Sequence, residues 1–230
     1  MDYLLTALRS AMALIAEGDP ETWTIVGTSL RVSLTACVLA SAVGIPAGLW
    51  IALREFRGKA AVQVLLNTLM ALPTVVVGLF VYGMISRHGP LGEYGLLFTP
   101  GGVVLGEFLL ATPIIANLTV AAVRALDPRV VTTCRTLGAG PWHEAGAVLR
   151  EGWHGVMAAV VAGFGRVIAE VGVAMMLGGN IKGFTRTMTT AIALETSKGE
   201  FELGLALGLL LLAVAFLVNG ALFTLQGSTR

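Results

Sequence analysis

The sequence predicts an all-α integral membrane protein, built as a single domain over residues 1–230 with about five spanning helices. Three observations carry that expectation. Hydrophobic residues make up 56% of the chain and charged residues only 13%, against about 25% charged in a soluble domain. Mean hydropathy is +0.83. Five runs approach or exceed the ~20 apolar residues needed to cross a hydrocarbon core of about 30 Å.

Met1 to Ala16 is too short to span and is interrupted by Arg9. Leu4, Leu8, Ala11 and Ile15 share one helical face while Asp2, Thr6 and Arg9 share another, which predicts a helix lying in the interface. A sixth span over these residues is the alternative that Arg9 opposes, and Asp2 stands where a cleavable signal would need positive charge. Gly18-Asp19-Pro20 ends this element, and the first long helix is expected to begin soon after Thr22. Its clearest apolar run is Val32 to Leu53, followed by Ala60 to Ser86, both free of charge. Val103 to Val123 carries Glu107, Gly155 to Leu177 carries Arg166 and Glu170, and Leu203 to Thr229 carries none.

Pro46, Pro73 and Pro113 fall inside spans and are expected to kink them, with neighbouring helices satisfying the freed carbonyls. Gly44/Gly48 and Gly204/Gly208 have the four-residue spacing of close helix contacts. Arg54, Arg57 and Lys59, with Arg124, Arg129, Arg135 and Arg150, concentrate basic charge in the loops after the first and third spans. The positive-inside rule then places the N-terminus outside and the C-terminus in the cytoplasm.

Composition and motifs exclude several functions. A formal net charge of +1 with no basic tail gives no nucleic-acid footprint. No Gly-x4-Gly-Lys-Ser/Thr loop exists to cradle ATP phosphates, and no Gly-x-Ser-x-Gly elbow marks a hydrolase. His88, His143 and His154 stand apart from any Cys or second His, so neither a metal nor a cofactor is expected. Cys37 and Cys134 lie in different environments and should be unpaired. The chain is not expected to be an enzyme.

The longest polar connection, residues 127–152, has its own architecture. Asp127-Pro128 can open a helix, Gly138-Ala139-Gly140 can end it, and Pro141 with Glu144 suits the start of another. Arg135-Thr136-Leu137-Gly138-Ala139-Gly140-Pro141-Trp142 resembles the cytoplasmic coupling loop of ABC importer permeases, whose pattern is Glu-Ala-Ala, three residues, Gly, nine residues, Ile-x-Leu-Pro. On this chain the Gly is Gly138 and the Ile is Val148, while Thr132-Thr133-Cys134 and Arg150-Glu151 replace the acid-led start and the proline-ended finish. The ATPase-coupling residues so implied are Thr132, Thr133, Cys134, Arg135, Gly138, Ala139, Gly140 and Pro141.

A second resemblance covers most of the chain. Gly163-Phe164-Gly165-Arg166-Val167-Ile168-Ala169-Glu170-Val171-Gly172, Gly178-Gly179-Asn180-Ile181, Thr185-Arg186-Thr187 and Thr189 to Ser197 look like the molybdate and tungstate branch of these permeases, nearest the tungstate type. The resemblance implies the type I ABC importer permease fold. It also implies a homodimeric pore made with a second copy of the chain, two ATP-binding subunits and an extracytoplasmic oxyanion-binding protein. Such a pore imports tungstate, or molybdate, by alternating access coupled through the 127–152 loop.

Within the spans, charge is expensive: about 2.5–3.5 kcal/mol at the bilayer centre on insertion scales. Arg166 and Glu170 are one turn apart and can pair, so they should face a wet cavity or polar partners. We therefore expect Arg166, Glu170 and, less directly, Glu107 along the translocation path or gate, although an ion pair that only holds the bundle has the same sequence. Residues 178–202 form the second long polar stretch, where Gly178-Gly179-Asn180 should break the helix and Thr187 to Ser197 form a short one. Asn180, Lys182 and Arg186 are candidates for a basic outer vestibule that concentrates anions. The rival reading is a proton-coupled secondary anion transporter that uses Arg166, Glu170 and Glu107 without an ATPase, although no internal repeat is evident to support it.

Overall fold

A computed structural model describes residues 8–9, 12–13 and 15–227; most of the expected interfacial helix, Met1 to Ala16, lies outside them. Among the described residues there is helix and no strand. The first helix, α1 (Pro20–Leu53), starts where local chemistry says it should. Asp19 Oδ2 accepts from the Thr22 hydroxyl at 2.7 Å and from its N–H at 2.8 Å, and Pro20 needs no partner in the first turn. Those donors hold the Asp19 carboxyl below the usual carboxylate range.

With 34 residues, α1 is about 51 Å long and overreaches the hydrocarbon core. One stripe of it is buried, from Thr22 through Ser29, Ser33, Cys37 and Gly44 to Gly48. That stripe lies along α4 (Pro100–Arg124), the most extensive helix pair in the fold. The glycines make it possible: a Cβ on Gly48 would sit 2.6 Å from Ala116 O and 2.7 Å from Thr119 Cβ. Pro46 and Pro113 lie inside helices that run on past them.

Two expected spans are not straight. The second divides into α2 (Lys59–Ala71) and α3 (Thr74–Ile85), which meet at 98°. Pro73 disfavours the helical region for the residue before it, and Leu72 is extended (φ −61°, ψ 135°). The fourth divides into α7 (Trp153–Ile168) and α8 (Gly172–Gly178), bent by 59°. Between the third and fourth lie α5 (Pro128–Thr136) and α6 (Pro141–Glu151); α9 (Met188–Lys198) and α10 (Phe201–Gly227) follow α8. Among the described residues three helices are long and apolar enough to cross a membrane singly, and each bent pair can supply one further span, up to the five expected from the sequence.

The core gathers where α1, α4, α7, α9 and α10 converge, around Ile25, Ala40, Ile115, Phe164, Met188 and Leu207. Because α1 touches the 127–152 loop near its C-terminus and the 178–202 segment near its N-terminus (Arg135 Nη2 to Leu53 O, 3.1 Å; Lys182 Nζ to Glu21 Oε2, 2.6 Å), the two polar stretches cap opposite ends of the bundle.

Replacing Gly48 by Ala should destabilise the solubilised protein by about 1–3 kcal/mol through overpacking. Gly27→Ala, whose Cβ would meet nothing within 4 Å, should be neutral or stabilising by up to ~1 kcal/mol. Thermal unfolding of the two variants in detergent checks the contrast.

Candidate functional site

The 127–152 loop is a hairpin of two short helices. Asp127 Oδ1 accepts from Arg129 N at 2.9 Å and opens α5, and Gly138 ends it at φ +75°, a left-handed conformation that favours glycine. Gly140 then caps α6, with Pro141 in its first turn. Arg135 clamps the arms together: its Nε and Nη2 reach Glu144 Oε1 at 2.9 and 2.8 Å, while Nη2 also donates to Leu53 O. Glu144 is almost fully buried, so this pair fixes the hairpin to the end of α1, and Val148 anchors it among Leu49 and Val123.

The hydroxyls of Thr132 and Thr136 are spent on carbonyls of their own helix, at Pro128 and Thr133. Cys134 is a free, partly exposed thiol whose carbonyl accepts from Ala139 N at 2.9 Å. The large apolar groups turned outward are the two flanking the turn: Leu137 is 81% exposed and Trp142 89%. Neither was among the candidates drawn from the sequence, although a tryptophan in a polar loop was the available signal.

Arg166 and Glu170 pair as the spacing predicts, Nη1 to Oε2 at 2.6 Å. Their setting differs from the continuous helix expected. Glu170 lies in the break between α7 and α8, because its Oε1 turns back to accept from Gly172 N (2.9 Å) and Val173 N (3.3 Å) and so caps α8. The Thr189 hydroxyl donates to Glu170 O at 2.7 Å, which ties the break to α9. Glu170 is 4% exposed on its side chain and Arg166 40%, so the arginine is the accessible member.

The two broken spans meet at their breaks. A Cβ on Gly172 would lie 3.2 Å from Thr74 Oγ1 and Val75 Cγ2, and 3.3 Å from Glu170 Oε1. Glu107 on α4 is 1% exposed, with Ser33 of α1 hydrogen-bonding its carboxyl and Oε2 left without a partner. It is enclosed among the helices of the chain.

At the other end of the bundle the basic residues are neutralised. Lys182 pairs with Glu21 at 2.6 Å, Arg186 lies 3.5 Å from Glu21 and 3.8 Å from Glu195, and Lys198 pairs with Glu195 at 3.0 Å. Asn180 takes φ +52° after the break and donates from Nδ2 to Thr190 O at 3.4 Å. Thr187 and Thr190 cap α9 reciprocally. Lys182 thus sits on an ion-paired rim beside exposed Ile181 and Phe184. Among the described residues no cluster of His, Cys, Asp or Glu could hold a metal ion.

Comparison with known proteins agrees with this architecture. Residues 44–228 match the family described as "Binding-protein-dependent transport system inner membrane component". The chain is 39% identical to the tungstate uptake system permease protein TupB of Peptoclostridium acidaminophilum over 98% of its own length and 99% of that protein's. It is 38% identical to the Campylobacter jejuni TupB, over 95% and 92%. With the molybdenum transport system permease protein ModB of Escherichia coli K12 it shares 32%, over 79% and 83%. Among solved structures, an inward-facing MetNI methionine ABC transporter chain superposes with a TM-score of 0.76, covering 92% of this chain and 99% of its own at 16% identity. A chain of a bacterial ABC transporter that imports alginate gives 0.74, over 97% and 88%, also at 16% identity. At that identity the structures speak for the fold.

Each hydrogen bond at the break should contribute about 1 kcal/mol. Thr189→Val, which removes only the hydroxyl donor, is expected to lose about that much. Glu170→Ala should lose more than Glu170→Gln, since glutamine retains an oxygen for Gly172 N. Melting temperatures of the three variants in detergent test the ranking.

Proposed function

The chain belongs to the binding-protein-dependent transport inner membrane components, and from that premise we propose that it is the pore-forming permease of an ABC importer for a tetrahedral oxyanion, tungstate first and molybdate second. The observation that carries the cargo is the 38–39% identity to two tungstate permeases over almost their whole lengths. The fold shared with ABC importer chains supports the transporter class. The chain itself performs no catalysis; ATP hydrolysis falls to a separate subunit.

The assembly we infer has two copies of this chain, two ATP-binding subunits and an extracytoplasmic oxyanion-binding protein. The 127–152 hairpin faces the cytoplasm, with the C-terminus on the same side. The N-terminus and the 178–202 segment face outward. Leu137 and Trp142, exposed on a hairpin that Arg135 and Glu144 hold rigid, form an apolar knob for a groove on the ATPase. Motion imposed there passes through α6 and α1 to the bundle. It reaches the gate where the breaks of α2/α3 and α7/α8 touch, with Arg166 the residue an anion meets and Glu170 preventing tight capture. Glu107 acts in this gate only as part of its packing. A proton-coupled carrier would leave that exposed, braced knob without a partner.

Two measurements test the reading. In a strain lacking the gene and supplied with scarce tungstate and molybdate, cellular tungsten measured by mass spectrometry should fall and be restored by the gene; unchanged tungsten and molybdenum would defeat the cargo assignment. Trp142→Asp should leave the protein inserted, because that side chain is almost wholly exposed. It should reduce ATPase copurification by about tenfold or more, since burying a large apolar side chain is worth ~1.5–3 kcal/mol. Undiminished copurification would remove the hairpin as the docking point.

A further inference from the structure

One polar cluster inside the membrane-spanning region has no role in the gate. Gln63 and Asn67 on α2 meet Asn117 on α4 in a chain of side-chain amides. Gln63 Nε2 donates to Asn117 Oδ1, and Asn117 Nδ2 donates onward to Asn67 Oδ1 at 2.8 Å, with Met70 Sδ at 3.0 Å from the same nitrogen. The chain has a direction. It begins at a buried acceptor with no partner, Gln63 Oε1, and ends at the Asn67 amide, an exposed residue. Among the described residues nothing accepts from the Asn67 N–H groups. Aligned amides polarise one another, so the exposed end is the donor end.

Hydrocarbon does not tolerate such a group. An amide without a partner costs several kcal/mol in an apolar medium, and lipid offers none. Around Asn67 the exposed neighbours at helical spacing are Ala60, Val64, Thr68, Met70 and Ala71, mostly small or flexible side chains that leave the amide open, while Leu66, Leu69 and Leu72 line the apolar elbow between α2 and α3. The Gln63–Asn117 and Asn117–Asn67 contacts bind α2 to α4, and the Asn67 N–H groups are the donors they leave over. Position adds the remaining constraint. Asn67 precedes the break at Leu72 by five residues, roughly 7.5 Å of helix, and Asn117 lies seven residues, roughly 10 Å, before the end of α4 that leads into the hairpin. The cluster therefore sits between the Arg166–Glu170 gate and the hairpin end of the bundle.

We propose that Asn67, held and polarised by Asn117, is an oxyanion-contacting station in the half of the passage nearest the 127–152 hairpin. It takes a tetrahedral divalent oxyanion by neutral N–H donation. This rests on the importer reading above and extends it by a second contact point. A neutral donor suits this position: it replaces part of the anion's hydration without the strong field of a fixed cation, so the ion is released.

The test uses the complete transporter with its ATPase and binding protein in liposomes. In a background of Cys37→Ala and Cys134→Ala, Asn67→Cys should react with an anionic, membrane-impermeant methanethiosulfonate and be slowed by tungstate. Leu65→Cys, on the opposite side of α2, should not react. Asn67→Asp should lower ATP-driven tungstate uptake by about tenfold or more while the ATPase still copurifies. Reaction of Asn67→Cys only with a lipid-soluble maleimide, its cross-linking to the second copy without labelling, or undiminished uptake by Asn67→Asp would each overturn the proposal. If wild-type liposomes take up neither tungstate nor molybdate, the cargo reading fails instead. Labelling needs no transport and still decides whether Asn67 faces water.

Discussion

The fold depends on how it satisfies backbone groups where two helices stop inside an apolar medium. Every unpaired N–H or C=O there is expensive, so non-helical backbone at membrane depth survives only with protein or water as its partner. Glu170 meets that demand at the α7/α8 break. One carboxylate oxygen receives two N–H groups of α8, the other receives Arg166, and the residue's own carbonyl receives the Thr189 hydroxyl. A buried charge of this kind is tolerable because its lone pairs are occupied, not because a single ion pair repays desolvation. The same side chain that permits the break also fills the anion-attracting end of α8.

The breaks matter because they touch. Thr74 begins α3 against Gly172, which begins α8, so a displacement of either limb is felt by the other. The straight partners, α1 and α4, cannot yield in this way: at Gly48 their backbones approach so closely that a methyl group would overlap a carbonyl. A rigid pair running the length of the bundle beside two hinged spans is an arrangement in which force at one end can change the geometry in the middle. The Arg135–Glu144 clamp ties the hairpin to the rigid pair, since Arg135 also donates to the last carbonyl of α1, Leu53 O.

How much of this could be read beforehand follows the range of the interaction responsible. The hairpin was legible: Asp127, Gly138, Gly140 and Pro141 act on backbone within a few residues of themselves, and the structure uses each as local chemistry predicts. The Gly44/Gly48 contact was legible as spacing. Pro73 announced a bend, but its size depends on where α8 lies beside Thr74. The α7/α8 break was hidden because it needs the Glu170 side chain to fold back on Gly172, a conformation that periodicity does not report. Lys182 and Arg186 looked like free positive charge, since Glu21 lies some 160 positions away in the sequence. Gln63 and Asn67, one turn apart on an apolar helix, were visible as polar residues; Asn117, which gives them meaning, is 50 positions on from Asn67.

The distribution of charge constrains where selectivity can reside. At the 178–202 end, each basic side chain of the segment faces glutamate, so long-range attraction of anions there is weak. Inside the bundle the structure supplies a half-exposed arginine engaged by Glu170, the buried Glu107 and neutral amides. Tungstate and molybdate are nearly isosteric, and contacts of such modest field strength hold both alike and neither strongly. Weak holding favours throughput, because a passage must release what it admits. On the reading proposed above, discrimination between the two oxyanions belongs to the partner that captures the anion before it enters, with Glu170 setting the resistance of the gate and the amides the polarity of the route.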